Sequence, residues 1–398
     1  MNRKVIKVAL IVVAILVGIC LLAVSALMAI SGAWTRRTYL EPWGRDYASS
    51  HADPRVRLVA TGLLAASNHN MQPWLIRLDE DDASSFLLYA DSSRMTPQVD
   101  PEARQLMISQ GTFLEYVAVA GEHEGWDVRI DLFPDGQYDE DHLAESMNET
   151  PVARVTLSAA EAHDAPLFDA TFLPDTNRAA YEPQALSPEQ VATLEALPEQ
   201  DDEGTVSVLQ DDTDVRTIGQ YAMRAATIEA GVARVMDEGN AIFRANERQK
   251  NLYRYGYSVE GQGTTGLMKH ILQGLLTLRP SLNTGPAASE NFIRSTQTSV
   301  DATPAYAMIV TDDNSRRAQV ESGMLYSRLV LTGHTLGLAM QPLSQVLEEY
   351  PEMRVPHDEF QALYAPDGGT VQMVFRVGQP TENVPVSMRR DVMDLIEG

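Results

Sequence analysis

The chain of 398 residues is long enough for one large domain or two ordinary ones, and with 44% hydrophobic residues it can build a substantial core. Its formal charge of −24 excludes nucleic acid as a partner, because a phosphate backbone requires clustered Lys and Arg. Lys4, Lys7, Lys250 and Lys269 are the only lysines, so anion binding falls to arginine; the single cysteine, Cys20, excludes an intrachain disulfide, a cysteine-based zinc site and a thiol catalyst in the soluble part.

In chain order, residues 1–7 are a basic flank and residues 8–30 carry no charge. At about 1.5 Å per residue this apolar run can span a bilayer core of roughly 30 Å. It reads as an uncleaved single-pass anchor, with a signal segment cleaved near Ser31-Gly32-Ala33 as the alternative. Arg36 and Arg37 balance Arg3, Lys4 and Lys7, so basic residues do not fix the orientation. Residues 31–50 read as a tether with interfacial aromatics Trp34, Tyr39 and Trp43.

A helix is predicted over 54–66, with Pro54 in its first turn. The polar turn SNHNMQPW follows, then strands WLIRL and FLLYA, a helix over 102–123 headed by Asp100 or Pro101, and the strand DVRIDLF. Farther on, Ser187-Pro188-Glu189 opens a capped helix, and 212–249 carries a long helical pattern. Residues 250–300 are rich in Gly, Ser, Thr and Asn, have weak periodicity, and read as an irregular lid. The strand AYAMIVT, a helix over 316–336, the strand TVQMVFRVG and a polar tail complete the chain. Helices separate hairpins throughout, so the class is α+β, a mixed sheet flanked by helices.

Two long helices share a glycine spacing: Gly111, Gly121 and Gly125 in the first, Gly323, Gly333 and Gly337 in the second. Interior glycines point to close helix packing, and Gly125 and Gly337 suit helix ends. The spacing predicts two related halves, 51–160 and 161–398, folded together as a pseudo-dimer.

Few familiar signatures carry chemistry. Gly261, Gly263 and Gly266 match GxGxxG, but no buried strand precedes them, so the context for a dinucleotide turn is missing. The eight histidines are scattered without ligand spacing, and no GxSxG, HExxH or P-loop string occurs. The turn is different. Ser67, Asn68, His69, Asn70 and Gln72 crowd beside Pro73 and Trp74, offering a flat wall and hydrogen-bonding edges to a heteroaromatic ring. The plainer reading is a helix end pinned by its own side chains, with Asn70 left-handed.

The turn resembles the Pro-Ser-Ser-x-Asn-x-Gln-Pro-Trp element of the flavin-dependent nitroreductase family, with Ala66 and Asn68 standing in for the first Pro and the second Ser. Its His69-Asn70 variant is similar to the Acg-like branch, in which one chain holds both halves of the usual homodimer. Thr176-Asn177-Arg178 with Tyr181, the stretch Gly337 to Ser344, and Arg376-Val377-Gly378 with the basic tail resemble further family elements; Asp175 or a neighbour stands where the family has its first Arg.

The resemblance implies FMN, bound by Ser67, Asn68, His69, Asn70, Gln72, Arg104, Arg178, Pro342, Leu343, Ser344, Arg389 and Arg390, with no catalytic side chain required. For Arg104, an ion pair with Asp100 is the competing reading. NAD(P)H is the implied electron donor and a small molecule the acceptor, in a monomer anchored through 8–30, in a bacterial inner membrane. Flavin storage or sensing without turnover, and a tethered interaction protein without a cofactor, are the alternatives.

Overall fold

The structure, a computed structural model, describes residues 3–161, 165–198 and 204–397. Eleven strands occur among them: β1 (Trp74–Leu78), β2 (Ser85–Ala90), β3 (Trp126–Leu132), β4 (Ala153–Ala159), β5 (Thr205–Leu209), β6 (Phe243–Arg244), β7 (Tyr257–Ser258), β8 (Ala305–Thr311), β9 (Ala339–Pro342), β10 (Thr370–Gly378) and β11 (Ile396–Glu397). They form a five-stranded sheet β11-β1-β2-β4-β3, a four-stranded sheet β5-β8-β10-β9 and the ribbon β6-β7. Only β1–β11 and β6–β7 pair in parallel.

The two larger sheets repeat one plan. A short helix, two strands, a long helix, a third strand, a helix and a fourth strand follow in chain order, and in space the fourth strand lies between the second and the third. The first unit uses Pro54–Gly62, Arg104–Glu124 and Leu143–Glu149 as its helices; the second uses Pro188–Glu195, Arg316–Thr335 and Arg354–Tyr364. A helical insertion separates β5 from β8, where the first unit has only the tight β1–β2 hairpin.

Local chemistry sets these helices. Asp53 accepts from the Arg55 amide ahead of Pro54, and Ser187 and Gln190 cap each other's backbone in a reciprocal box. Asp100 accepts from the amides of Gln105 and Leu106 at 3.1 and 3.0 Å and so anchors the first long helix. The side chain of Arg104 turns elsewhere, to two backbone carbonyls and Glu349.

The two long helices cross at the matched glycines. A Cβ on Gly111 would lie 1.8 Å from the Val320 carbonyl oxygen, and one on Gly323 would lie 1.9 Å from the Ile108 carbonyl oxygen. Gly121 and Gly333 lie against the strand that follows each helix: a Cβ there would meet Val128 Cγ2 at 2.1 Å and Met340 Cε at 3.0 Å. Gly125 and Gly337 end the helices with φ of 80° and 72°. The crossing also exchanges core residues. Ile108 packs in the core of the second unit, while Val320 and Leu331 pack in that of the first.

Several elements depart from the sequence expectations. Residues 54–66 are helical only through Gly62, and the 212–249 pattern breaks into Asp212–Gly231, Ala233–Ala241 and a helix beginning at Glu247. Residues 250–300 hold the helices Gly266–Leu278 and Gly285–Asp301 rather than one irregular stretch. Tyr39 and Trp43 are not interfacial: Tyr39 is buried and donates to Glu247 at 2.7 Å, and the Trp43 indole donates to the Ser387 carbonyl at 2.8 Å. Glu247 also meets Lys250 at 2.9 Å and Lys269 at 3.1 Å. Burial pushes its carboxyl up, but the lysines and the Tyr39 hydroxyl outweigh this and hold it at about 2. Two of the four lysines thus hold Glu247 within the insertion, and the Tyr39 hydroxyl fastens it to the segment after the N-terminal helix.

Replacing Gly111 with Ala is expected to cost at least about 3 kcal/mol in denaturant unfolding, because the opposing atom is backbone and cannot rotate away. Gly239→Ala, on an exposed helix with no contact closer than 3.9 Å, serves as the control. It should be neutral or stabilising by up to about 1 kcal/mol. Equal effects at the two positions would refute the crossing.

Candidate functional site

The polar turn lies at the end of the first short helix, and its backbone is unusual. His69, Asn70 and Gln72 have φ of 51°, 53° and 52°, each in the left-handed region that non-glycine residues seldom enter. The Ser67 hydroxyl closes the turn by accepting from the Gln72 amide at 2.9 Å. Asn70 and Gln72 then hold remote chain segments. The Gln72 amide group donates to the Arg254 carbonyl at 2.9 Å, and its carbonyl accepts from the Arg390 amide at 2.8 Å. Asn70 donates to the carbonyls of Gly256 and Met388 at 3.3 and 3.2 Å and accepts from Arg389 at 3.0 Å.

These bonds gather the turn, the Gly256–Thr265 stretch and the tail around a cavity of about 530 Å³, a size common for small-molecule and cofactor sites. Ser67, Asn68, His69, Asn70, Arg104, Arg178, Pro342, Ser344 and Arg389 all line it. Gln72, Leu343 and Arg390 do not. Gln72 is fully buried as the clamp just described, and Leu343 packs in the second unit with its amide donated to the Val374 carbonyl. Arg390 donates to the carbonyls of Gln72, Trp74 and Asp394. Trp74 is no wall of the cavity either. Its indole is wholly buried against Phe113 and donates to the Ser109 carbonyl. The aromatic lining comes instead from Trp43, Tyr257 and Tyr326.

The three lining arginines differ in what they have left to give. Arg104 spends both terminal nitrogens on the carbonyls of Gln372 and Leu347, at 2.6 and 2.9 Å. Arg389 donates to the carbonyls of Leu64 and Ala65 at 2.6 and 3.0 Å, just past the short helix, and stacks over Trp43 at 4.7 Å; its Nε has no partner. Arg178 is exposed into the cavity with a single bond, 3.2 Å to the Gly261 carbonyl. Its position follows from Asn177, whose amide donates to the Met340 carbonyl and whose side chain donates to the Glu382 carbonyl. Arg376 is wholly buried, donates to Gln341, Ala179 and Ala302, and does not line the cavity.

Burial tunes the remaining groups. It pulls the His69 imidazole down to about 4, with the Arg178 charge acting in the same direction, so His69 is neutral at pH 7. Burial pushes Asp175 up to about 6, against the Tyr116 hydroxyl bonded to it and the charge of Arg389. Glu348 is raised well above its ordinary value by burial and then by the charge of Glu229, which favours its uncharged form. Buried polar atoms without partners collect on the same wall: Asn68 Oδ1, His69 Nδ1, Asp175 Oδ2, Tyr326 OH, Gln345 Oε1 and Arg389 Nε. Unmatched donors and acceptors of this kind are costly unless a ligand or water meets them.

A guanidinium with free donors, a neutral imidazole, amide oxygens and aromatic faces fit a flavin mononucleotide, whose phosphate needs a cation and whose ring presents both donors and acceptors. Sequence reasoning missed Tyr257, Tyr326, Glu348 and residues 382–385. Tyr326 follows Gly323 by one helical turn, so helical phase alone could have found it. The tail segment carries no periodic signal.

No family model matches the chain. Over 348 residues it is 27% identical to two Mycobacterium tuberculosis proteins, from two strains, named provisionally as NAD(P)H nitroreductases; the match covers 86% of this chain and 91% of each relative. The likeness is to nitroreductases. Among solved structures, an FMN-dependent nitroreductase from Mycobacterium smegmatis in complex with NADPH matches at 13% identity, covering 56% of this chain and 94% of its own, with a TM-score of 0.33. A protein from Anabaena variabilis described provisionally as a nitroreductase matches at 13%, covering 74% of this chain and 69% of its own, with a TM-score of 0.30. Superpositions this loose carry no argument, and the nitroreductase-like reading stands on the sequence relatives and the site.

Two outcomes follow for the turn. Gln72→Ala strands the Arg390 amide and the Arg254 carbonyl, and should cost about 2–3 kcal/mol in thermal or denaturant unfolding; an unchanged midpoint would remove the clamp role. Because the His69 value is depressed in the folded state, unfolded chains take up the proton first. Stability should therefore fall as pH drops from 6.5 toward about 4. His69→Asn, which also tolerates left-handed backbone, should remove about 1–3 kcal/mol of that fall when the two proteins are unfolded across this range.

Proposed function

We propose that this chain is an FMN-binding, nitroreductase-like oxidoreductase that passes two electrons from NAD(P)H or another donor to a small-molecule acceptor. One observation carries the reading. The cavity beneath the Ser67–Gln72 turn combines the underused guanidinium of Arg178 with a wall of unmatched polar atoms. When bound, FMN supplies the redox chemistry, and the protein's part is to hold the ring, tune its surroundings and limit access.

In this reading Arg178 neutralises the phosphate, with Arg389 Nε as a second donor. Asn68, His69 and Gln345 present acceptors, and Tyr326 a hydroxyl, to the ring edge and the ribityl chain. Arg104 acts indirectly by fixing the Gln372 and Leu347 carbonyls at the rim. Neutral His69 adds no further positive charge, and the shift of Glu348 toward its uncharged form lowers repulsion of an anion. Pro342 and Ser344 line the side contributed by the second unit.

The repeated strand order and the reciprocal glycines support two related halves fused in one chain. One flavin per chain follows, and two observations favour it. The second unit has no counterpart of the Gln-Pro-Trp turn. Arg316, at the place in the second long helix that Arg104 holds in the first, is already bound to Glu140 at 2.6 and 3.0 Å and to the Glu102 carbonyl. The helix Arg3–Ser31 is long and apolar enough to cross a membrane. We read it as a retained anchor, in a bacterial inner membrane.

Full-length protein purified in detergent should carry, or take up, one FMN. Arg178→Ala should weaken FMN binding at least about tenfold, since one charge-assisted contact is worth about 1.5–3 kcal/mol. Colourless protein that takes up no added FMN would refute the reading. Tightly held flavin that neither NADH nor NADPH bleaches anaerobically would assign storage or sensing instead of turnover.

A further inference from the structure

The helix Gly266–Leu278 has a face that none of the described residues covers. Leu267, Leu275, Leu278 and Leu282 are 55%, 40%, 62% and 45% exposed, and Met268 beside them is 59% exposed. With half-buried Ile271, the positions 267, 271, 275 and 278 keep helical spacing and form one stripe, and Leu282 follows in the short turn Pro280–Asn283 just past the helix end. The opposite face is spent on the fold. Lys269 pairs with Glu247, Gln273 donates to Glu247, and Leu276 is buried.

Placement of this helix decides what the stripe meets. A Cβ on Gly274 would lie 2.6 Å from the Leu27 carbonyl oxygen, and His270 Nδ1 lies 3.1 Å from the Ser31 hydroxyl. Residue numbers rise along one helix as they fall along the other, so the two run antiparallel in direct contact. At about 1.5 Å per residue, Leu278 lies roughly 12 Å from the level of His270, toward the middle of the apolar helix. The chain then turns through Pro280–Asn283 and returns as Gly285–Asp301, which is held to the domain where Ser289 donates to the Ala230 carbonyl. Between Lys269 and Glu290 only Arg279 is fully charged, in a chain that is 22% charged overall. Trp34, just past the apolar helix, is 72% exposed, as expected of a residue at a membrane–water boundary.

We propose that this helical hairpin is a second membrane element, its leucine stripe immersed in the leaflet that the Arg3–Ser31 helix leaves at its C-terminal end. The occupant of the stripe is lipid, because the stripe is continuous with the apolar helix, whose most apolar window none of the described residues buries. The helix enters alongside the anchor instead of lying in the interface plane, and its dip of about 12 Å reaches just past the roughly 5–10 Å of interfacial amphipathic helices. Arg279 at the tip reaches back toward headgroups along its own aliphatic stem. Gly261, Gly263 and Thr265 on the rim of the cavity immediately precede this helix, so the mouth of the site opens beside the bilayer surface.

The test uses the full chain with Cys20→Ser and a single reporter cysteine, Leu278→Cys or Leu275→Cys on the stripe, or Asp135→Cys on a remote exposed turn. Each is labelled with an environment-sensitive fluorophore and reconstituted into phosphatidylcholine vesicles containing doxyl-labelled lipid. The stripe labels should lose more than about half of their emission to the lipid quencher and resist iodide, while the label at 135 does the reverse. Stripe labels open to iodide and untouched by doxyl lipid would overturn the proposal. Labels shielded from both quenchers would mean that a second copy covers the stripe, which overturns it too. Recovery of membrane-extracted protein with residues 1–31 missing by intact mass would remove the neighbouring helix and sink the idea by a separate route.

Discussion

The whole arrangement depends on two backbones touching where most helices keep their side chains apart. At Gly111 and Gly323 the long helices approach until each carbonyl occupies the space of the other's missing Cβ. Because the contact is reciprocal, it fixes distance and rotation together. It also sends Ile108 into one core and Val320 and Leu331 into the other, so neither core is complete without the helix of its partner unit. Helices that interlock in this way present their N-terminal ends to opposite units. Arg104 reaches Gln372 and Leu347 in the second unit, while Arg316 reaches Glu140 and Glu102 in the first.

From that crossing the site follows as a seam. Its floor is the turn after Pro54–Gly62, one side is the Pro342–Glu348 stretch, and the insertion and tail close it. The left-handed residues of the turn are strained, and the strain is maintained by bonds from chain more than 180 residues away, at Arg254, Met388 and Arg390. The side chains that made the turn conspicuous therefore divide into two groups. Gln72 and most of Asn70 serve the fold, whereas Asn68 and His69 keep atoms free toward the cavity.

Much of this was legible from residue patterns, and the physical reason differs by element. AYAMIVT and TVQMVFRVG are largely apolar and became β8 and β10 with the bounds read from sequence, because a strand buried on both faces needs no alternation. The glycine spacing was informative because close approach leaves no room for any other residue. By contrast, β4 was passed over although Ala153, Val155 and Leu157 point inward between Arg154 and Thr156, a pattern that alternation alone could have identified. β11 has two residues and exists only because the edge of β1 accepts it. The Gly266–Leu278 helix was obscured by flanking glycines and threonines and by an apolar face that no core of this chain buries. The retreat of Trp74 from the cavity could not be read from sequence, since a Pro-Trp pair looks the same whether the ring faces a ligand or Phe113.

The tail gives the order of synthesis a role in maturation. The tail passes from β10 back to the first unit, where Arg389 holds the Leu64 and Ala65 carbonyls and Ile396 pairs with Ile76. These residues leave the ribosome after both sheets and the whole insertion have emerged. Until then β1 remains an open edge and the Ser67–Gln72 turn lacks three of its fastenings, so a half-made chain carries both an adhesive strand and an unfinished cavity. Filling of the cavity is thus a late event in the life of each molecule, and the interval before it is when the nascent chain most needs protection from its neighbours.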